Sequence, residues 1–444
     1  MEMNAFVHFS INTFTNKEWG YGDESPALFN PDSLDTDQWL KVFKDTGFKM
    51  VILTCKHHDG FCLWPSQHTK HSVASSPVKT DVVKSVTESA ARYGLKFGIY
   101  LSPWDRNHPE YGREAYVNYY RMQLRELFAA YSEKQPVFEM WFDGANGGDG
   151  FYGGAREKRQ IKGSTYYDWP TTLKLVQTMQ PEIIFFSDAG PGVRWVGNER
   201  GEAGETNWNT ITADTLFAGK GGIEKLLNSG SEDGTKWIPA ETDVSIRPGW
   251  FYHPEEDSLV KSPERLFEIY LSSVGRGSTL LLNIPPNRHG KIHQNDIAAL
   301  QGFKRILEET FKNNLAPDSE MNADAVRGNN EQYDVQNLID SNPETYWATD
   351  DGVTAATLSI EWNSPQEIGY VTLQEPIQLG QRVKGFVIEA KTDKGWEEIG
   401  KGTTIGHKRI IKTKEISTDA LRIKILDSKE VVAISEVSVF PNKS

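Results

Sequence analysis

Cysteine is nearly missing from this chain. Of 444 residues two are cysteines, Cys55 and Cys62, which rules out a disulfide-built scaffold and any zinc site of four thiolates. A bridge between them would close only a small loop, so two free, mostly buried thiols are expected. Basic runs are missing too. Lys+Arg number 48 against Asp+Glu 61, a net charge of −13, and that balance argues against nucleic acid and anionic lipid as partners. No apolar stretch approaches the roughly 18 residues that a membrane span requires. Low-complexity tracts and internal repeats are absent. The chain also opens without a signal peptide, since Ala5–Ser10 already read as a strand. A chain that begins almost inside a strand is expected to have lost a preceding segment, an export signal with it, which gives a periplasmic or extracellular location as the expectation.

Aromatic residues are plentiful at 11%, with 13 Trp and 16 Tyr. Many lie beside Gly, Asp, Asn or Pro, as in Trp19-Gly20-Tyr21-Gly22, Ser102-Pro103-Trp104-Asp105 and Pro248-Gly249-Trp250-Phe251. Core aromatics usually sit among aliphatics, whereas these fall at strand ends and loop starts. Sugars offer C–H faces to aromatic rings and hydroxyls to fixed polar partners, so such loops suit a carbohydrate. The plain alternative is large side chains filling a large barrel.

To about residue 312, short apolar runs alternate with helical segments. The runs are Ala5–Phe9, Met50–Thr54, Lys96–Leu101, Val137–Phe142, Ile183–Phe186, Trp237–Ala240 and Thr279–Asn283. Between them lie amphipathic stretches such as Asp35–Thr46, which opens on a capping Asp and spaces Trp39, Leu40 and Phe43 on one face. Strand–helix alternation over this length predicts an α/β fold, an imperfect TIM-like (β/α)8 barrel at residues 1–314. Seven strands are clear; the eighth unit, around Gly201–Leu227, is irregular. Past Leu315-Ala316-Pro317 the helical pattern stops. Alternating runs such as Val383–Glu389 and Leu421–Ile425, separated by turn signals, predict an all-β sandwich over 318–444.

Polar residues just after a barrel strand fall on the face where ligands bind. His8 lies in the first run, His57-His58-Asp59-Gly60 follow the second, and Asp143 ends the fourth. Adjacent histidines on an extended chain point to opposite sides. With His8 they form a conceivable zinc set, but hydrogen bonding to hydroxyls is the preferred reading. Asp143 could merely cap a helix. A glycoside-cleaving role needs a second carboxylate, and the downstream candidates are Asp188, Glu199, Glu202, Glu205 and Glu241.

Five motifs now carry a resemblance. Asn12–Gly20 with Glu18-Trp19, Lys56–Phe61, Gly98–Trp104, Trp141–Ala145, and Asp188–Pro191 with Arg194–Glu199 together resemble the α-L-fucosidases of glycoside hydrolase family 29, most closely the branch that prefers α1,3/4-linked fucose. The resemblance implies a retaining exo-fucosidase acting on fucosylated glycans, with no metal and no cofactor in the reaction. It makes Asp143 the nucleophile and Glu199, in the Gly-Asn-Glu motif, the acid/base. It assigns fucose binding to His8, Glu18, Trp19, His57, His58, Tyr100, Trp141 and Arg194, with Phe6 and Trp141 walling the 6-methyl. Arg247, Trp250 and the loop Asp149–Thr165, a Gly- and Lys/Arg-rich departure from the family pattern, are expected to touch the neighbouring sugar. The rival reading is a carbohydrate-binding protein on an inactive barrel. Gln336–Ala348 resembles the opening of discoidin-like (factor 5/8 type C) domains, which often bind carbohydrate. This second resemblance implies a structural calcium near Asp340.

Overall fold

Strands buried on both faces need apolar side chains at consecutive positions, and the run Met50-Val51-Ile52-Leu53 supplies them. The computed structural model describes residues 1–442. Eight parallel strands close a barrel: β1 (Met3–Val7), β2 (Met50–Lys56), β3 (Lys96–Leu101), β4 (Val137–Trp141), β5 (Ile184–Ser187), β6 (Val193–Trp195), β7 (Ala240–Ser245) and β8 (Thr279–Asn283). Each pairs with the next, and β8 pairs with β1. Outside lie α1 (Thr36–Asp45), α2 (Val82–Tyr93), α3 (Glu114–Tyr131), α4 (Trp169–Met179), α5 (Glu224–Ser229), α6 (Pro263–Ser272) and α7 (Gln294–Thr310). Their starts are written in the sequence. Asp35 accepts the Gln38 N–H at 3.0 Å and Asp81 that of Lys84 at 2.9 Å, caps worth about 1 kcal/mol each.

Side chains alternate between two apolar layers. Phe6, Met50, Ile52, Tyr100, Trp141, Phe186 and Leu281 fill the lumen. Their chain neighbours Ala5, Val7, Val51, Leu53, Ile99 and Met140 pack under the helices instead. This parity decides what reaches the site. Phe6–His8, Glu139–Trp141–Asp143 and Leu281–Asn283 each continue an inward row.

Two expectations about strands need correction. The irregular unit is not Gly201–Leu227: the missing strand is β6, joined to β5 by the five residues 188–192 with no helix between. Sequence alternation therefore carries no trace of it. The run Trp237–Ala240 straddles two elements. Lys236–Trp237 pairs antiparallel with Thr210–Ile211, and the barrel strand β7 begins only at Ala240. Its residues Glu241, Thr242 and Asp243 disguise it as polar loop.

The second lobe is all-β. Strands β9 (Glu320–Ala323), β10 (Ala356–Gln374), β11 (Val383–Thr392), β12 (Gly395–Gly402), β13 (Arg409–Ser428) and β14 (Glu436–Pro441) form one antiparallel sheet, ordered 9-10-13-11-12 with β14 also on β10. Sequence runs that read as separate short strands are halves of β10 and β13. These bend where their register shifts between Glu361 and Gln366. Leu358, Val371, Phe386, Leu421 and Val437 make the core. The lobes touch closely. Phe311 meets Tyr370 and Phe440 at ring-centroid distances of 5.8 and 5.1 Å.

Candidate active site

At the C-terminal ends of the strands lies a pocket with about 450 Å³ of empty space including its open mouth. Phe6, His8, Trp19, His57, His58, Tyr100, Trp141, Asp143, Ala145, Glu199, Asp243 and Trp250 line it. The strand-end loops thus bring together most of the residues singled out in the sequence.

Asp143 continues the inward row of β4. Its Oδ1 accepts the Ala145 N–H at 2.6 Å and its Oδ2 the Tyr100 hydroxyl at 2.8 Å. Burial pushes its carboxyl above the ordinary range, and these two donors oppose that shift. Glu199 stands on the loop after β6 and accepts from Trp250 Nε1 at 3.4 Å. Burial raises its carboxyl first, and the charges of Asp143 and Glu18 add to this. Among the carboxylates left open by the sequence, geometry separates the rest. Glu202 faces Arg200 and Arg265, and Glu205 faces Arg276 and Arg409. Glu241 lies under the pocket floor, where it accepts from Trp141 Nε1 at 3.0 Å and is pushed to about 7 by burial. Asp188 accepts the Gly219 N–H at 2.7 Å beside the Asp143 loop.

The histidines are neutral. Asn283 donates its amide to Ser245 Oγ and Trp250 O, so its oxygen faces His8 Nδ1 at 2.8 Å and that nitrogen carries the hydrogen. Ser102 donates to Trp104 O and therefore accepts from His58 Nδ1 at 2.7 Å. Both rings turn an unprotonated Nε2 away from these partners, that of His58 lying 3.8 Å from Asp143 Oδ2. Burial pulls both down to about 3. His57 stacks on Tyr100 at 5.8 Å, and its buried Nδ1 has no hydrogen-bond partner among the described residues.

The expectation that His57 and His58 point apart is corrected. Their ring centroids are 4.1 Å apart and both line the pocket, because β2 ends at Lys56 and alternation ends with it. Among the described residues, no group of three or more His, Cys, Asp or Glu is arranged to hold a metal ion.

Three residues matched to the sugar lie elsewhere. Arg194 is fully buried and points out of the barrel, since Val193 and Trp195 take the inward positions. It donates to Leu227 O, Ile238 O, Asn207 Oδ1 and Trp208 O. Arg247 is saturated by Asp296 and Asp257 and stacked on Tyr252, so it fixes the loop that carries Trp250. Glu18 accepts from Trp250 N at 2.8 Å, Phe251 N at 3.2 Å and His253 Nε2 at 2.6 Å, bracing that loop from behind.

Asp243 was missed. It is buried, lines the pocket, and accepts from Trp195 Nε1 at 2.8 Å. Burial and the nearby Glu199 push it well above the ordinary range. The signal was present: Glu241-Thr242-Asp243 places acids two apart and so on one face, as Glu139, Trp141 and Asp143 share one face at the same two-residue step. In the second lobe, Asp340 accepts the Asn342 N–H and the Thr345 hydroxyl, and Glu436 lies near enough to feel its charge.

Comparison with known proteins agrees with this geometry. The α-L-fucosidase family profile matches residues 1–310, and the F5/8 type C domain profile matches residues 320–437. The chain is similar to Alpha-L-fucosidase 1 of Arabidopsis thaliana, 39% identical over 99% of this chain and 85% of that protein. A solved glycoside hydrolase 29 family member from an unknown rumen bacterium is 42% identical with a TM-score of 0.88, covering 100% of this chain and 76% of that one. A Ruminococcus gnavus GH29 fucosidase in complex with fucose is 33% identical, also at 0.88, covering 100% and 93%. A closed parallel barrel with two carboxylates in one strand-end pocket, matched along its whole length, belongs to the α-L-fucosidases of glycoside hydrolase family 29.

Proposed function

We propose that the chain is a retaining exo-α-L-fucosidase in which Asp143 and Glu199 share the chemistry. The observation that carries this is the pair itself: both carboxylates line one closed-ended pocket, and their surroundings differ. Asp143, hydrogen-bonded twice, attacks the anomeric carbon as the bond to the leaving oxygen breaks. Glu199, raised by burial, delivers its proton to that oxygen. Water then gives a proton back to Glu199 and attacks the same carbon, releasing fucose and freeing Asp143 with net retention. The unprotonated Nε2 atoms of His8 and His58 accept from sugar hydroxyls. Phe6 and Trp141, ring centroids 5.1 Å apart, wall the methyl.

A strand-end pocket floored by the apolar barrel lumen supports action on a terminal residue. The α1,3/4 preference rests on the rim. The hairpin Gly148–Gly150 with Glu157–Arg159 rises beside Trp19 and Trp104, where a branched neighbour would lie. For the second lobe, the resemblance to discoidin-like domains supports a structural calcium near Asp340, where Glu436 is a second carboxylate within electrostatic reach. The test is a 2-fluoro-fucosyl reagent followed by peptide mapping, with a linkage panel on the unlabelled enzyme. Label on Asp143 and faster cleavage of α1,3/4-branched than α1,2-linked fucose are expected. Label elsewhere overturns the mechanism, and α1,2 preference overturns the specificity.

A further inference from the structure

Glu199 rides on a loop whose far end is held by the other lobe. The barrel pins the first half. Asn228 Nδ2 donates to Val196 O at 3.1 Å and Glu202 O at 3.0 Å, and the Ser272 hydroxyl to Gly201 O at 3.0 Å. Gly197 has φ of 85°, and a Cβ there would meet Glu224 O at 2.3 Å, so the path is fixed by close approach. From Ala203 onward the anchor changes. Arg276 donates to Ala203 O at 2.8 Å and pairs with the Glu205 carboxylate. Arg409 of the second lobe, 3% exposed, closes on that carboxylate at 2.8 Å and on Glu205 O at 2.9 Å.

The neighbouring loops of that lobe continue the grip. Thr404 Oγ1 accepts the Asn207 N–H at 2.9 Å. The Gln381 amide accepts from Asn209 N at 2.7 Å and donates to Asn207 O at 2.9 Å. Arg276 is itself set against the same lobe, because Ile410 N–H donates to Gly275 O at 2.8 Å. Asp143 needs no such help, being braced by Tyr100 and Ala145 inside the barrel. Glu199 follows a three-residue strand with no helix before it, so its loop depends on these side-chain contacts, from the barrel before Ala203 and from both lobes after it.

We propose that the second lobe is a positioning part of the acid/base machinery: Arg409, with Thr404 and Gln381, fixes the segment from Glu205 to Asn209 and so holds the Glu199 carboxyl within reach of the leaving oxygen. This rests on the reading of Glu199 as proton donor. Displacing a catalytic group by about 1 Å costs on the order of 100-fold, and the loss falls only on steps that need the proton.

The experiment compares wild type, Arg409→Ala, Arg409→Lys, Thr404→Val, Gln381→Ala and Glu199→Ala on aryl α-L-fucosides whose phenols range from strongly to weakly acidic. For Arg409→Ala, kcat/KM on the weakest phenol falls about ten-fold or more. On the most acidic phenol it stays within about two-fold, with inhibition by free fucose unchanged, and Arg409→Lys recovers part of the loss. Thr404→Val, which deletes one contact, and Gln381→Ala, which deletes two, show the same slope at about three-fold and carry the test should Arg409→Ala not fold. A uniform loss across the series, or none, overturns the proposal while Glu199→Ala stays leaving-group dependent. A flat series for Glu199→Ala removes the proton-donor reading, and this inference with it.

Discussion

Three acids face the pocket. In the proposed mechanism Asp143 is ionised to attack and Glu199 protonated to donate, while Asp243 answers to neither role. The two raised carboxyls set the pH profile. Activity falls on the acid side as Asp143 takes up a proton and on the alkaline side as Glu199 loses one; both shifts are upward, so both limbs lie above the ordinary carboxylate range. Burial against Trp195 and the neighbouring Glu199 push Asp243 toward its uncharged form. Asp243→Asn copies that neutral form and still accepts from Trp195. Its kcat/KM–pH curve should therefore keep the alkaline limb within about 0.3 unit. A downward move of half a unit or more would mean that Asp243 carries a charge that supports the Glu199 proton. The sequence displayed Asp143 and Glu199 through motifs, and hid Asp243 because an acid inside a strand looks like loop. It also promoted Arg194 and Arg247, since an arginine beside a motif reads the same whether it points inward or outward. One residue of strand parity separates the two cases.

At the scale of elements, helices were legible because caps and 3.6-residue periodicity are local signals, and Asp35 and Asp81 do cap theirs. Strands were legible only where apolar. β6 has three residues and no helix before it, so nothing local announces it. Yet the short β5–β6 connection shapes the site, because it holds Asp188 against the nucleophile's loop. A Cβ on Gly144 would meet Asp188 Oδ2 at 2.2 Å, while that same oxygen accepts the Gly219 N–H. Gly144→Ala must displace the Asp188 carboxylate, held by the Gly219 N–H, or the Asp143 loop, and kcat should fall about ten-fold or more with the fold intact as the loop gives way. Adding Asp188→Ala clears the space, so the double variant should recover part of that loss. Such non-additivity is the signature of a shared contact. A double variant no better than Gly144→Ala alone would show that the clash is relieved elsewhere.

Over the whole molecule, the change of texture near Leu315 marks two lobes, but it says nothing about how they adhere. They adhere as one body. Ile410, from the second lobe, packs within the barrel's own apolar cluster. Phe311, past the last barrel helix, sits among Phe267, Tyr370 and Phe440 with ring centroids 5.1–6.1 Å apart. Glu2 pairs with Lys408 and accepts from Tyr270 at 2.9 Å, so the first strand, the last barrel helices and the sandwich meet at one seam. A seam of buried aromatics and buried arginines is costly to open, because either lobe alone would leave apolar rings and Arg409 facing water or unpaired. The lobes should therefore unfold in one calorimetric peak, with the ratio of calorimetric to van't Hoff enthalpy near one. Phe311→Ala removes a half-buried ring at the seam, worth about 2 kcal/mol after discounting the usual cost of a fully buried phenylalanine. For a single unit of 444 residues that lowers the midpoint by about 2 °C. Two peaks, of which Phe311→Ala moves only one, would show that the lobes melt separately and that the seam couples them weakly.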